Sequence, residues 1–406
     1  MSQLSFMEKL LDGVEVEWKK LGTITTLKRG RVMSKEYLVD NAGEFPVYSS
    51  QTAKNGMIGE IDTFDFDGEY ISWTTDGANA GTVFHRTGKF SITNVCGSIK
   101  INDERKLSYK FLFYWLSIEA QKHVYSGMGN PKLMSHQVEK IPVPIPCPEN
   151  PKKSLEIQAE IVRILDTFTE LTTELTTELN ARKKQYNYYR DQLLSFEEGE
   201  VEWKTLGDVT KKWYSGGTPR AGNPEYYDDG DIPWLRTQEV KFSDIDRTAV
   251  KVTQSALDNS SAKWIPANCV IVAISGATAG RSAINKIPLT TNQHCGCLEI
   301  DSSKALYRYV FHWVSFNYEN IKSLGQGARG DLNSSIIKNF RFPVPFANDP
   351  EKSLAEQARI VAVLDKFDAL TNSITEGLPR EIELRQKQYE YYRDLLLNFP
   401  KPEVAA

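Results

Sequence analysis

Residues that could bind a metal ion occur at two places in the chain. His294, Cys295 and Cys297 are of the types that bind zinc. No second pair of ligands follows at the spacing of a zinc finger, and a related segment earlier in the chain has Val95 where the histidine stands. We therefore interpret these cysteines as core residues rather than as metal ligands.

The second place is an acidic segment in the second half of the chain. Asp229 and Asp231 precede the tripeptide Glu239–Lys241, an arrangement that a metal-dependent nuclease could use. Tripeptides of this kind also arise often by chance. A stand-alone metal-dependent DNA endonuclease is therefore kept only as an alternative function.

Three glycine-rich segments resemble phosphate-binding loops incompletely. Ser275–Ser282 has three residues between its glycines where four are required, and Arg281 stands where a lysine is needed. Gly325–Gly330 has the spacing of a dinucleotide fingerprint but follows a helical run, and the related Gly127–Lys132 lacks the third glycine. The Asn/Asp-Pro-Pro-aromatic signature of amino-methyltransferases is missing as well. We predict that the chain has no catalytic centre, metal site or cofactor of its own.

Basic residues in polar loops are the remaining candidates for chemistry. Arg and Lys bind phosphates and guanine edges, and such loops suit the reading of a DNA groove. An exposed, solvated surface would explain any single one of them equally well. The candidate DNA-binding residues are Lys28, Arg29, Arg31 and Lys35 in the first half and Arg220, Arg236, Lys241 and Arg281 in the second.

The formal net charge of −4 does not by itself favour nucleic-acid binding. Residues 151–200 and 346–406 together carry a net charge of −6, however, so the remainder of the chain carries +2.

The chain shows no run of about 18 apolar residues and no secretory signal at its amino end. Five cysteines without framework spacing indicate reduced thiols. We expect a soluble, cytoplasmic protein of 406 residues with more than one domain.

An internal repeat decides how the chain is organised. EVEWKKLGTIT at 15–25 returns as EVEWKTLGDVT at 200–210, and SLEIQAEIVRILDTF at 154–168 returns as SLAEQARIVAVLDKF at 353–367. RKKQYNYYRDQLLSF at 182–196 returns as RQKQYEYYRDLLLNF at 385–399. Between these segments the similarity fades, although GANAG at 77–81 corresponds to GATAG at 276–280. Each half thus has a variable body and a nearly constant tail.

The tails have the pattern of long helices. From Leu155 to Glu198 the chain has no Gly or Pro, and apolar residues recur at spacings of three and four. The second tail has the same pattern but is interrupted by Gly377 and Pro379, where we expect a kink or a break. Because neither helix can bury its apolar stripe alone, we predict that they form an antiparallel two-helix coiled coil. Packing of both helices inside one globular domain is the alternative.

The bodies alternate short β-rich runs with Gly, Asn, Asp and Pro. Predicted strands include Glu69–Thr74 and Cys269–Ile274, and predicted aromatic helices include Tyr109–Leu116 and Tyr307–Val314. The expected fold class is α+β, with two mixed globular domains separated by the coiled coil in a pseudo-twofold tandem repeat.

These segments together resemble the specificity subunits of type I restriction-modification systems, of the type IC branch. The resemblance rests on the two EVEW-x-x-LG openings, the two S-L-x-x-Q-x-x-I-V-x-x-L-D helix starts and the two Q-Y-x-Y-Y-R-D endings. GGTPRAGNPEYYDDGDIPWLRTQEV at 216–240 and TTDGANAGTVF at 74–84 resemble parts of target-recognition domains. TELTTELTTEL at 169–179 resembles the short repeats of the type IC branch.

The resemblance implies a function and a set of partners. Each body would be a target-recognition domain that reads one half of a split, asymmetric site in double-stranded DNA. The helices would hold two methyltransferase subunits, which two restriction subunits join. S-adenosylmethionine, ATP and magnesium would be bound by those partners and not by this chain, and no membrane is involved. A purely structural tether between proteins is a further alternative.

The predicted segments follow from the repeat and the resemblance. They are an amino-terminal segment 1–14 that pairs with the carboxyl-terminal tail, recognition domain 15–145, helical region 146–200, recognition domain 201–345 and helical region 346–406. Ser5–Phe6 and Leu397–Phe399 resemble one junction cut open, so we expect the two ends of the chain to lie close together.

Leu171, Leu175 and Leu179 recur every four residues and are the predicted spacer-setting residues. Each repeat of four residues adds about 6 Å of helix.

Overall fold

The computed structural model describes residues 10–11, 13–127, 129–197, 199–327, 330–373 and 375–400. Ser5 and Phe6, together with most of the predicted segment 1–14, lie outside the described residues. So do Met128 in the segment Gly127–Lys132 and Ala328 and Arg329 in the segment Gly325–Gly330. Among the described residues, no helix is both long and apolar enough to span a membrane.

The chain forms two compact units that are not consecutive in sequence. One unit contains residues 1–175 and 382–406, and the other contains residues 176–381. Both helical tails are therefore divided between the units, with the first division between Leu175 and Thr176. This division lies inside the TELTTELTTEL segment, where the spacer-setting leucines stand.

The first body is built mainly from strands. They are β1 (Val16–Lys20), β2 (Thr25–Arg29), β3 (Ala42–Tyr48), β4 (Met57–Ile61), β5 (Phe66–Thr74), β6 (Val83–Ile92), β7 (Cys96–Ile101) and β8 (Pro142–Pro146). Its helices are α1 (Leu21–Ile24), α2 (Lys35–Asp40), α3 (Tyr109–Glu119) and α4 (Ser135–Val138). One sheet has the strand order β2-β7-β5-β6-β3-β4, and β1 pairs with β8.

The helix α5 (Pro151–Leu193) follows, and the second body comes after it. The strands of this body are β9 (Val201–Thr205), β10 (Thr210–Ser215), β11 (Ile232–Leu235), β12 (Asp244–Ile245), β13 (Val250–Val252), β14 (Val270–Ala273), β15 (Ser282–Asn285), β16 (Thr290–Thr291), β17 (Cys295–Ile300) and β18 (Arg341–Pro345). Its helices are α6 (Pro224–Tyr227), α7 (Gln254–Asp258), α8 (Tyr307–Phe316), α9 (Tyr318–Ser323) and α10 (Ser334–Lys338). The sheets have the orders β10-β17-β14-β15-β12, β13-β11-β16 and β18-β9.

The two bodies share a frame in the same register. In the first body Trp73 pairs with Val83 and with Gly97. In the second body Val272 pairs with Ser282 and with Gly296, each 199 positions later. The repeat seen in the sequence therefore reflects three strands that are paired in the same register in both bodies. The α+β tandem-repeat class is confirmed.

The second tail forms α11 (Pro350–Thr371) and α12 (Gly377–Leu396). The predicted interruption is present, and it ends at Gly377 rather than extending past Pro379. The φ of Gly377 is +72°, and a Cβ at this position would lie 2.3 Å from the carbonyl oxygen of Ala369. Only glycine fits such a close approach of backbone. Pro379 is accepted because it lies in the first turn of α12, where no intrahelical N–H bond is lost.

The helices pair antiparallel inside each unit. In the first unit Phe168 of α5 stacks on Tyr392 of α12 with ring centroids 5.3 Å apart. In the second unit Phe367 of α11 stacks on Tyr189 of α5 at 5.6 Å. The part of α5 from Thr176 therefore belongs to the second unit, and the part of α12 from Ile382 belongs to the first unit. Each body is completed by a tail helix that the sequence assigns to the other copy.

Candidate nucleic-acid interface

Loops gather at one end of the first body, beyond the end of β2. Thr75 N donates to Val95 O at 2.9 Å, and Leu133 N donates to Thr75 O at 2.9 Å. Arg29 Nη2 donates to the carbonyl oxygen of Asn94 at 2.5 Å. The turn that follows β5, the β6–β7 turn and the loop before α4 are therefore held together beside Arg29.

The same loops meet in the second body. Ile274 N donates to His294 O, and Leu332 N donates to Ile274 O, at 2.9 and 2.7 Å. The Gly-x-x-x-Gly turns are also equivalent, because Gly77, Gly81, Gly276 and Gly280 all have positive φ. The resemblance of Ser275–Ser282 to a phosphate loop is thus explained by a tight turn between two strands.

Charge and hydrogen-bonding groups line this loop end in the first unit. Arg29 and Lys132 each lie 3.9 Å from one carboxylate, that of Asp76, so two cations share one anion. Asn94 is exposed at the tip of the β6–β7 turn. Such a set of guanidinium, ammonium and amide groups can contact phosphates, guanine and adenine.

The loop end of the second unit carries a different set of groups. Thr218 Oγ1 donates to Gln293 Oε1 at 2.6 Å, and Ser275 Oγ lies 2.6 Å from His294 Nδ1. Gln293 is 199 positions after Asn94, so an exposed amide stands at the same turn in both bodies. The frame is shared while the groups presented at its end differ.

The structure brings two of the four predicted cations of the first body to this end, Arg29 and Arg31, because Arg31 N donates to Ile92 O at 3.2 Å and its backbone bridges to Thr93. Arg29 lies there, whereas Lys28 points to the sheet face and lines a cavity of about 290 Å³ with Tyr70 and Lys100. Arg31 is held by Asp65, with Nε 3.0 Å from Oδ2. Burial lowers the pKa of Arg31, but hydrogen bonds with Tyr37 and Asp65 raise it above its ordinary value. Lys35 begins α2 and is exposed.

The predicted cations of the second body are divided between the loop end and other places. Arg220 is exposed in the loop after β10, which also contains Thr218, and Arg281 directly follows the Gly-x-x-x-Gly turn before β15. Arg236 Nε lies 3.8 Å from a carboxylate oxygen of Glu239. Lys241 lines a cavity of about 420 Å³ with Tyr186 and Phe242.

The loop ends include residues that were not among the predicted DNA-binding residues. They are Asn94, Lys132, Gln293 and His294. The correspondence of GANAG with GATAG, extended by 13 residues, aligns Asn94 with Gln293 and could have indicated them. Their exposure and their neighbours could not be read from the sequence.

The metal-site alternatives are not supported by the geometry. Cys295 and Cys297 are fully buried. Burial raises the pKa of the Cys295 thiol to about 12. Glu239 uses both carboxylate oxygens on backbone amides, accepting from Ala249 N at 2.7 Å and Arg236 N at 3.3 Å. Within the described part of the chain, no group of three or more His, Cys, Asp or Glu residues is arranged to hold a metal ion.

The repeated helix motifs attach the tails to the bodies. Gln158 of α5 is fully buried, and its Oε1 accepts from Ser108 N at 2.9 Å, at the start of α3. Its Nε2 donates to Lys106 O at 2.9 Å. Gln357 of α11 accepts from Leu306 N at 2.9 Å in the same way. The Gln of each S-L-x-x-Q motif therefore ties the tail helix to an aromatic helix.

The aspartates of the same motifs make a second attachment. Asp166 accepts from Tyr114 at 2.7 Å and Lys110 at 2.5 Å. Asp365 accepts from His312 and Arg308 at 2.6 Å and 2.7 Å. Burial alone would raise the pKa of Asp365, but these hydrogen bonds lower it below its ordinary value.

The ends of the tails pack on matching tryptophans. In the first unit Phe399 lies against Trp115 at 6.2 Å, and Trp18 Nε1 donates to Pro400 O at 2.9 Å. In the second unit Phe196 lies against Trp313 at 6.4 Å. Leu11 shares a hydrophobic cluster with Leu396, Leu397 and Phe399. The described ends of the chain thus meet in one unit.

Two tyrosines on the tail helices face solvent. Tyr188 is 62% exposed and Tyr391 is 64% exposed. Each belongs to a Q-Y-x-Y-Y-R-D segment, and each ring packs edge-to-face against the tyrosine that follows it. Exposed aromatic rings are typical anchors of protein interfaces. The two copies present one such surface in each unit.

Comparisons with known proteins agree with this architecture. The chain is 43% identical over 424 residues to the type I restriction enzyme EcoR124I/EcoR124II specificity subunit of Escherichia coli, with 100% of each chain covered. It is 30% identical over 390 residues to a putative type I specificity subunit of Mycoplasma pneumoniae, S.MpnORF507P, covering 95% of this chain and 98% of the relative.

A solved structure shows the same fold. The S subunit of a type I restriction-modification system from M. genitalium superposes with a TM-score of 0.64 at 16% identity, covering 96% of this chain and 98% of that one. Residues 13–184 and 198–384 match the family described as type I restriction modification DNA specificity domain. The chain therefore belongs to this family of type I restriction-modification specificity subunits and contains its characteristic domain twice.

Proposed function

We propose that this chain is the DNA-specificity subunit of a type I restriction-modification complex. Its two loop ends read the two halves of a split, asymmetric DNA site, and its helices hold two methyltransferase subunits, which two restriction subunits join. The full-length match to a named specificity subunit carries this proposal. The two bodies with one frame and different loop ends add support.

The chain contributes recognition rather than catalysis in this proposal. The partner subunits, and not this chain, bind S-adenosylmethionine, ATP and magnesium. Amide and cationic side chains at the loop ends make base and phosphate contacts. The exposed Tyr188 and Tyr391, one in each unit, are proposed anchors for two copies of one partner.

Mapping of methylated adenines tests the proposal. The chain is co-expressed with its methyltransferase subunit in cells without other methylation, and genomic adenines are mapped. We expect a split, asymmetric motif. Methylation without a sequence preference would contradict recognition by this chain and would favour a structural tether. Cleavage of plasmid by the purified chain with magnesium alone would favour the endonuclease.

Two variants assign the half-sites to the bodies. Asn94→Ala should relax the motif in one half and Gln293→Ala in the other, because each removes an amide from a different loop end. Gln192→Ala, an exposed residue on α5, is the control and should leave the motif unchanged. A change in both halves caused by Asn94→Ala would contradict the assignment of one half-site to each body.

A further inference from the structure

Arg86 on β6 is a buried cation without a counter-charge. It is 4% exposed, and its guanidinium carbon lies 3.6 Å from the ring centre of Tyr48 and 4.4 Å from that of Phe84. Its Nε donates to Ser72 Oγ at 3.0 Å. Burial lowers the pKa of Arg86 to about 10, and no carboxylate is among the groups that oppose this effect. A charge removed from water is costly unless an anion accompanies it.

The terminal nitrogens of Arg86 remain available to a ligand. The described groups that contact the guanidinium are neutral: Ser72 Oγ accepts from Nε, and the Tyr48 side chain is its other hydrogen-bonding neighbour. Neither Nη atom is a fully enclosed polar atom without a partner. A Cβ on Gly56 would lie 3.2 Å from Nη2, which places this end of the side chain under the turn that contains Gly56.

That turn presents a second cation. Lys54 and Asn55 have φ of 47° and 58°, and both side chains are exposed. Consecutive non-glycine residues in the left-handed region are uncommon and cost free energy. The ammonium of Lys54 thus belongs to a tightly turned segment above the guanidinium.

Arg86 also lies close to the loop end of the first unit. The thiol of Cys96 is influenced by both Arg86 and Arg29: burial raises its pKa to about 11, and the two guanidinium groups oppose that effect. Cys96 N donates to Thr93 O at 2.9 Å, which closes the turn that carries Asn94. The buried cation is therefore beneath the surface at which DNA contacts are proposed.

The equivalent residue of the second body shows that the fold does not require a charge here. Asn285 stands 199 positions later and is fully buried. Its Nδ2 donates to Pro266 O and Ile287 O at 2.7 and 2.9 Å, and its Oδ1 accepts from Cys269 N at 2.9 Å. The position is internally satisfied in one body and left with an unpaired positive charge in the other.

We propose that Arg86, with Lys54 above it, binds a phosphate of the DNA backbone beside the half-site read by the first body. This inference rests on the proposed function and deepens it. A phosphate supplies the full negative charge that the buried guanidinium lacks, whereas a base offers only neutral acceptors. The contact fixes the register of the first body on the duplex and does not select a base.

The test uses the chain assembled with its methyltransferase subunit. DNA affinity is measured at several salt concentrations for the wild type, R86Q, R86K and R105Q. R105Q is a matched control because it also removes one positive charge from the first unit. Arg105 lies beyond the opposite end of β7, where it pairs with Asp103. We expect R86Q to weaken binding about tenfold, the effect of one lost charge-assisted hydrogen bond. The slope of log affinity against log salt should fall by about 1.

Replacing single DNA phosphates with uncharged methylphosphonates, one position at a time, then locates the contact. At one position the replacement should weaken DNA binding by the wild type and by R105Q and leave binding by R86Q unchanged. R86K should recover part of the affinity, and thermal unfolding of each variant separates a loss of fold from a loss of contact.

The inference would be overturned if R86Q bound DNA with wild-type affinity or methylated a different motif. It would also be overturned if R86Q and the methylphosphonate had additive effects on affinity at every phosphate position. The same holds if inorganic phosphate stabilised only the wild type while R86Q bound DNA unaltered. A wild-type complex without any site preference would instead refute the proposed function. The two failures are therefore distinguishable.

Discussion

Replacing Gln158 with leucine should destabilise the first unit while leaving the second intact. Leucine has a similar size and cannot form the hydrogen bonds to Ser108 N, Lys106 O and Ser154 Oγ. The amide of Ser108, at the start of α3, would then be left without its partner.

The magnitude follows from the contacts that are lost. Each hydrogen bond contributes about 1 kcal/mol, and a buried donor left unsatisfied costs about 1–3 kcal/mol. The added apolar surface of leucine offsets part of this loss. We expect the free energy of unfolding of the first unit to fall by about 3 kcal/mol, which is about 150-fold in its equilibrium constant.

Hydrogen exchange followed by mass spectrometry distinguishes the two units. Peptides covering α3 should exchange faster in Gln158→Leu, and peptides covering α8 should not. Gln357→Leu should give the converse pattern because its contacts match. Gln192→Leu, an exposed position on α5, should change stability by less than about 0.5 kcal/mol. A loss below about 1 kcal/mol, or equal exchange in both units, would refute the role of the buried glutamines.

Two further predictions concern the helices. Deleting Thr176–Leu179 removes about 6 Å of α5 and should shorten the unread spacer of the DNA site by about one or two base pairs; an unchanged methylated motif would contradict this. Asp365→Asn should destabilise the second unit by about 2 kcal/mol at neutral pH, because it weakens the hydrogen bonds to His312 and Arg308. The pKa of Asp365 is lowered, so the carboxylate stabilises the fold above roughly pH 4 and that stabilisation is lost as the pH falls through the folded pKa. Urea unfolding at neutral and acidic pH should therefore show a weaker acid dependence in the variant, and a wild-type dependence would contradict the assignment.

The sequence correctly predicted the long helix α5 and the two aromatic helices. The absence of Gly and Pro from Leu155 to Glu198 predicted α5, which spans Pro151–Leu193. The aromatic helices at Tyr109 and Tyr307 begin where they were predicted. Helical periodicity and strand composition are properties of neighbouring residues, so the sequence contains them directly.

Local sequence pattern could not show which cationic side chains are free to contact DNA. Arg31 pairs with Asp65, 34 positions away, while Arg86 passed unnoticed because a run of β-strand residues gives no sign that its charge is unpaired. Ion pairing and burial depend on residues that the fold brings together from distant parts of the chain. The sequence predicts the polar loops as the place of DNA recognition but could not select among their side chains.

The sequence by itself determined that the protein consists of two related bodies and two related helical tails, because a repeat is written in the order of the residues. Only the tertiary structure decided which tail completes which body. The apolar stripes of α5, α11 and α12 are alike, so pattern alone permits more than one pairing. The packing of Phe399 beside Trp115 and of Phe196 beside Trp313 selects the exchanged arrangement, since burial of these rings requires each tail end to reach a particular body.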